Sequence, residues 1–166
     1  LPGVARDSCV ANCVFDTVQG RLVGWTQYSE RDAIKFNSNY SIVDHCTVNF
    51  STDELAQGRG SFQTYSNNLW TKPLAYNFHH KGGHPKGSIH FKQGVGEGQD
   101  LGIYRNLYVS TKDRTPQLGG QMSGIIMENY AFNQKFGTQI VKGNPEPDDT
   151  LGGNTLIAGV RLYWDN

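Results

Sequence analysis

The stretch from Ser88 to Trp164 constrains this chain most: short alternating apolar runs there are separated by glycine-rich and polar turns. Alternation with period two sends successive side chains to opposite faces of an extended segment, so a chain built of such runs folds as strands with one buried and one wet face. The last run is the clearest. Leu156, Ala158, Val160, Leu162 and Trp164 share one side, and Thr155, Ile157, Gly159, Arg161 and Tyr163 the other. The pattern predicts an all-β fold, an antiparallel β-sandwich of immunoglobulin-like or jelly-roll type, with a β-barrel or β-prism as the alternative.

Earlier segments agree. Leu22 to Tyr28, Tyr40 to Val43, Cys46 to Phe50, Gly60 to Tyr65 and Leu74 to His79 all read as strands, and Gly58 and Gly60 stop any helix opened by Ser51-Thr52-Asp53. In the run from Leu101, Arg105 interrupts the inward series, which implies a bulge or a buried, partnered arginine. Ile89 and Phe91 read as inward with His90 between them. No repeat of fixed period is evident, which argues against a propeller or solenoid. With 166 residues, a single domain spanning 1–166 is expected.

The 15 basic and 15 acidic side chains cancel, and charged residues make up only 18% of the chain. Such a balance does not suit a nucleic-acid or acidic-membrane binder, which carries clustered Lys and Arg. Asn, Gln, Ser, Thr, Gly and Tyr supply polarity instead, a surface suited to neutral hydroxylated ligands. No apolar stretch approaches the roughly 20 residues of a membrane span. The Leu1-Pro2-Gly3 start fits a processed product, secreted or at the cell surface. Cys9, Cys13 and Cys46 lean the same way: a disulfide from either of the first two to Cys46 would tie the N-terminal segment to a strand.

His79, His80, His84 and His90 crowd together, the only concentration of metal ligands or general bases. His80, His84 and His90 are the metal candidates, but Gly82 and Gly83 oppose the helix that would make His80-x-x-x-His84 a dependable pair, so a polar loop without a required cofactor is expected. No Gly-x-Ser-x-Gly elbow accompanies the serines. Gly94-x-Gly96-x-Gly98 lacks the Lys and Ser/Thr of a phosphate loop.

Sugar recognition needs an aromatic face for the apolar side of a pyranose and amides or carboxylates for its hydroxyls. Three groups offer this: Tyr65, Asn67, Asn68 and Trp70; Tyr130, Asn133 and Gln134; and Asp148, Asp149 and Asn154 beside an acidic proline-rich loop. The mature-looking start, the near-N-terminal Cys with a partner near Cys46 and the polar aromatic loops resemble the N-terminal receptor-binding domain of bacterial chaperone–usher pilus tip adhesins. That resemblance implies a sandwich that binds host glycans or glycoproteins non-covalently through loops at its tip, at a fimbrial tip or cell surface, with a pilus or second domain following the C-terminus. Leu156 to Asp165 is separately similar to the closing strand of jacalin-type lectins. The expectation is therefore an extracellular lectin-like recognition domain and not an enzyme. The alternatives are a secreted glycan-active hydrolase or lyase using the His79–His90 region, and a protein-binding matrix adhesin.

Overall fold

The computed structural model describes residues 8–16, 32–75, 79, 81, 83–91, 98–119, 122–135, 137–141, 156–158 and 162–165. Each turn of the chain contributes one short strand to each of three sheets. The first coil holds β1 (Ser8–Ala11), β2 (Val14–Asp16) and β3 (Ile34–Phe36); the second β4 (Ser41–Asp44), β5 (Thr47–Asn49) and β6 (Glu54–Gly58). The third holds β7 (Gln63–Ser66), β8 (Leu69–Thr71) and β9 (Lys86–Phe91), and the fourth β10 (Gly98–Tyr104), β11 (Leu107–Val109) and β12 (Gln117–Gly119). Then come β13 (Met122–Met127), β14 (Asn129–Phe132) and β15 (Gln139–Val141), and last β16 (Leu156–Ala158) and β17 (Leu162–Asp165).

The sheets run β1-β4-β7-β10-β13-β16, β17-β14-β11-β8-β5-β2 and β15-β12-β9-β6-β3, so every third strand is a neighbour. Each of these pairings is parallel. The chain is a three-faced parallel β-helix, with no helix among the described residues. This overturns the antiparallel sandwich, the barrel and the prism, and with them the argument against a solenoid. Alternation reports which face a residue takes, and parallel and antiparallel half-buried strands share it.

Register stacks like on like inside the coils. Val43, Tyr65, Ile103 and Ile126 form one interior row, and Val48, Trp70, Tyr108 and Ala131 another. All eight are buried. Trp70 lies against Tyr108, with ring centroids 6.2 Å apart. Some polar groups inside the coils pair with one another: the Ser88 and Tyr108 hydroxyls are 3.0 Å apart, and the Tyr65 hydroxyl donates to Gln63 Oε1.

The corner between the first two sheets shows how the coil is closed. His45, Asn67, Arg105 and Glu128 all take left-handed backbone, with φ of 51°, 54°, 52° and 54°. For non-glycine residues this costs of order 1 kcal/mol each. The next residue in each coil recovers it. Cys46, Asn68, Asn106 and Asn129 form one column, in which the backbone N–H of Cys46, Asn68 and Asn106 donates to the Oδ1 of the asparagine one coil on, at 2.9, 3.0 and 2.9 Å. Each carboxamide also donates to a carbonyl of the preceding coil: Asn68 to Val43, Asn106 to Tyr65 and Asn129 to Ile103. Peptide groups that the bend withdraws from the ladder are thus satisfied by side chains. Cys46 continues the column with a thiol, Sγ lying 3.6 Å from the Val10 carbonyl. Cys13 and Cys46 are free thiols, so the bridge expected from Cys9 or Cys13 to Cys46 is not formed; the side chain of Cys9 lies outside the described residues.

Arg105 is the residue whose break in alternation called for a bulge or a buried partner. It is an exposed corner residue, and its Nε donates to Glu128 Oε2 at 2.7 Å. Its irregularity is a bend between two sheets. The final run is likewise divided between β16 and β17, which belong to different sheets.

Candidate active site

The corner between the second and third sheets carries the chemistry. Residues 50–53 join β5 to β6, whereas 72–85 join β8 to β9, and this longer connection brings His79 and His84 back over the preceding coil. Residues 110–116 fill the same corner in the following coil and supply Asp113 and Arg114. Glu54 lies opposite Lys86, and Lys86 forms a bridge with Asp113. Ile34 opposite Ala56 sets Asp32 beside Glu54, whose backbone N–H donates to Asp32 Oδ1 at 3.2 Å. Gly87 is required here, because a Cβ would lie 2.2 Å from the Arg114 carbonyl oxygen.

Asp53 is the centre of the cluster. His84 Nε2 lies 3.0 Å from its Oδ1, and His79 Nε2 lies 3.5 Å from its Oδ2. His79 Nδ1 accepts the Lys81 backbone N–H at 3.1 Å, so the neutral tautomer carries its proton on Nε2, facing the carboxylate. His84 presents Nε2 to the same carboxylate, which leaves the Nδ1 lone pair as its basic position; 11% of the side chain is exposed. Around this centre, Arg114 pairs with Glu54 and Lys86 with Asp113, all four side chains mostly buried.

Burial drives the protonation of the corner. Asp32 is pushed up to about 6, first by burial and then by the neighbouring Asp53 carboxylate, with Lys35 and Arg59 opposing. His84 is pushed down to about 4 by burial, against the pull of Asp53. Burial also lowers Arg114, with Asp53 and Asp32 opposing. Asp32 and His84, each beside Asp53, are thus displaced in opposite senses, the arrangement an acid and a base require. Because the Asp32 carboxyl is raised from 3.8, the stability tied to its protonated form is full below pH 3.8 and is lost as the pH rises through 6. Asp32→Asn therefore raises the thermal midpoint at pH 8, by about 2–3 kcal/mol in stability, and leaves it unchanged at pH 3. Paired melts at the two pH values check this; equal shifts at both would contradict a buried carboxyl.

Two donor sets here have the composition of metal sites: Asp53, His79 and His84, and Asp32, Asp53 and Glu54. The two imidazoles are stacked, with centroids 4.2 Å apart and planes within 4°. An ion lies in the plane of each imidazole it binds, so one ion cannot serve both rings as they stand. In the carboxylate set, Arg114 already supplies the cation.

Of the residues singled out in the sequence, His84 belongs to this site, while His90 does not. His90 is interior on β9, 1% exposed, with its ring edge against Tyr65 at 4.5 Å. The inward reading of Ile89 and Phe91 is thereby reversed: register pairs His90 with Gly58 and Leu118, and Ile89 and Phe91 are the less buried residues. Neither ring nitrogen of His90 has a hydrogen-bond partner among the described residues, and burial holds it down at about 3. The unfolded chain takes up this proton near pH 6.5 and the folded chain does not, so stability falls as pH drops from 6.5 toward 3, by up to about 5 kcal/mol. His90→Phe flattens this acid limb in a pH series of melts, and an unchanged limb would assign it to other groups.

Tyr65, Asn68 and Trp70 are interior, so they offer no face to a sugar; Trp70 Nε1 donates to Asn106 Oδ1. Asn67 is exposed at a corner and donates to Asp44. Tyr130 is half-buried on β14, and Asn133 and Gln134 line a depression beside the histidine loop. His80, Asp148, Asp149 and Asn154 lie outside the described residues. Sequence reasoning missed Asp32, Asp53, Glu54, Lys86, Asp113 and Arg114, which only the register of successive coils brings together. Comparison with protein-family models, with characterised proteins and with solved structures finds no match.

Proposed function

We propose that the chain is a glycan-active enzyme module that cleaves glycosidic bonds by acid–base chemistry at the Asp32–Asp53–His84 corner. The observation that carries this reading is that Asp53 joins two close sets of groups, one with His79 and His84 and one with Asp32 and Glu54, in which burial moves the Asp32 carboxyl up to about 6 and the His84 imidazole down to about 4. Buried charge is unfavourable for a fold, and its concentration at one open corner of a regular solenoid is what a reacting centre requires.

Asp32 and Asp53 crowd together, and burial with the neighbouring Asp53 carboxylate holds the proton on Asp32. Asp32 gives this proton to the leaving glycosidic oxygen. His84 Nδ1 takes one from the attacking water in hydrolysis, or from the sugar carbon in elimination. After the step Asp32 is ionised and His84 is imidazolium, and exchange with solvent restores both. His79 stays against Asp53 and fixes its orientation. Lys86 and Arg114 set the field without leaving their partners.

The test is incubation with a panel of soluble polysaccharides at pH 5, following reducing ends and ultraviolet absorbance of unsaturated products. Depolymerisation of at least one polymer is expected. Saturable binding without any cleavage would instead favour a lectin-like adhesin, a second reading supported by one feature: Tyr40 and Phe62 stack at 4.8 Å, within 3° of parallel, on an outer corner where Tyr40 is 52% exposed.

A further inference from the structure

The corner column of Asn68, Asn106 and Asn129 continues toward the first coil as two cysteines. Register pairs Val10 with Val43 and Ala11 with Asp44 before the bend, and Val14 with Thr47 after it, so Cys13 stands one rung from Cys46 in the same column. The two bends match. Asn12 and His45, the residues before the cysteines, are left-handed with φ of 55° and 51°. Each thiol donates to the carbonyl two residues back, Cys13 to Ala11 and Cys46 to Asp44, both at 3.2 Å. Backbone bonds join the rungs on either side: Asn12 N–H donates to the Asp44 carbonyl at 3.1 Å, and Thr47 N–H to the Cys13 carbonyl at 2.9 Å.

The Cys46 side chain reaches back toward the first coil. Its Sγ lies 3.6 Å from the Val10 carbonyl, the contact that Asn68 Nδ2 makes with the Val43 carbonyl one coil on. The Cys13 backbone N–H and the Cys13 thiol both lie close enough to act on it. Paired Cα atoms on neighbouring rungs are about 4.8 Å apart, within the roughly 4.4–6.8 Å that a disulfide spans. Further along the column one carboxamide meets the next, Asn68 Nδ2 donating to Asn106 Oδ1 at 3.0 Å. Here a thiol meets a thiol.

We infer that Cys13 and Cys46 are an oxidisable pair, reduced in this structure, whose disulfide clamps the first coil onto the second. The reaction is thiol–disulfide exchange with a small-molecule disulfide such as oxidised glutathione. Cys13, half-buried where Cys46 is 2% exposed, attacks first: its thiolate bonds to one sulfur of the reagent, whose S–S bond breaks and releases one thiolate. Cys46 then gives up its proton, attacks the Cys13 sulfur of the mixed disulfide and expels the second thiolate. The protein loses two electrons and two protons, and the reagent gains both and leaves as two thiols.

The clamp acts where the stack is held least. β1, β2 and β3 stand at the ends of their sheets, so among the described residues this coil is held by ladder bonds from one side. In a stack of repeats such a rung opens more readily than one between two neighbours. The loop closed from Cys13 to Cys46 contains Asp32, so the bond also keeps the proposed acid at its site. That consequence rests on the glycan-cleavage reading; the bond itself does not.

The experiment incubates the full chain with reduced or oxidised glutathione in mildly alkaline buffer, then reads intact mass after alkylation and amide hydrogen exchange. With the oxidised reagent, a loss of two hydrogens, one thiol left to alkylate, and exchange in β1 and β3 slowed about 100-fold against the reduced protein are expected. Cys9→Ser keeps the bond, and Cys13→Ser and Cys46→Ser each abolish it. Thermal midpoints under reducing conditions show which variants are folded, and Cys→Ala replaces any serine variant that is not. A bond that survives in Cys13→Ser or disappears in Cys9→Ser overturns the inference. So do three alkylatable thiols or a lasting glutathione adduct in the folded, oxidised chain, or a bond that leaves exchange unchanged. A bond that slows exchange in a chain that cleaves no polysaccharide supports the clamp and removes only its consequence for Asp32.

Discussion

His84→Gln lowers turnover on a cleaved polysaccharide about 10²- to 10⁴-fold, the span set by removal of a positioned general base. Glutamine keeps a polar side chain of similar reach toward Asp53 Oδ1 but offers no basic nitrogen on its outer side. The fold should tolerate it, because His84 stands on the 72–85 connection and takes no part in the sheet rows. The loss falls on kcat. Asp53→Asn is expected to lose a comparable amount by a different route, since it removes the carboxylate that faces both imidazoles and helps to raise Asp32. The two losses should not add, as both changes disable one proton path. Activity in His84→Gln within three-fold of wild type would remove the histidine from the mechanism.

Asn106→Ala is expected to cost about 4 kcal/mol or more of stability. Asn106 Oδ1 accepts from the Asn68 backbone N–H, from Asn68 Nδ2 and from Trp70 Nε1, while its Nδ2 donates to the Tyr65 carbonyl and Asn129 Oδ1. Alanine leaves these buried partners unsatisfied, at roughly 1–3 kcal/mol for each that water cannot reach. It also withdraws support from the left-handed residue Arg105. Asn106→Asp separates the two halves of the carboxamide: it retains the acceptor and loses the donors, and should fall between wild type and alanine near neutral pH. Chemical denaturation of the three proteins gives the order directly. A loss under 1 kcal/mol for alanine would mean that the asparagine column does not hold the corner.

The sequence made the strands and their two-faced character legible, because period-two alternation survives in segments as short as Ser41–Asp44 and Gln63–Ser66. Direction and architecture were not legible, for a physical reason. Bends that usually advertise themselves through glycine or proline are made here by Tyr40, His45 and Phe50, and again by Phe62, Asn67 and Lys72, in left-handed backbone supported by neighbouring coils. The repeat is hidden too: the register takes Cys9 to Ile42, then Thr64, Gly102, Ile125 and Ala158, steps that insertions make unequal. One signal was present. Asn68-Leu69-Trp70 and Asn106-Leu107-Tyr108 are the same corner one coil apart, an asparagine followed by an outward leucine and an inward aromatic.

The site divided in the same way. The crowding of histidines located the right connection, and His84 was among the residues noted, but a linear reading could not separate it from His90, which the stack turns inward. Asp32, Asp53, Lys86 and Arg114 are unremarkable in sequence. They become a site because β3, β6 and β9 stack in register and the corner at residues 110–116 closes onto β9.

The most direct test of the central claim, that this corner performs acid–base chemistry, is the pH dependence of kcat/KM on a cleaved polysaccharide. The account predicts a bell with its acid limb near pH 4, where His84 becomes protonated, and its alkaline limb near pH 6, where Asp32 ionises, and loss of the alkaline limb in Asp32→Asn together with much of the rate. A rate that keeps rising from pH 5 to pH 9, or a bell unchanged by Asp32→Asn, would contradict it.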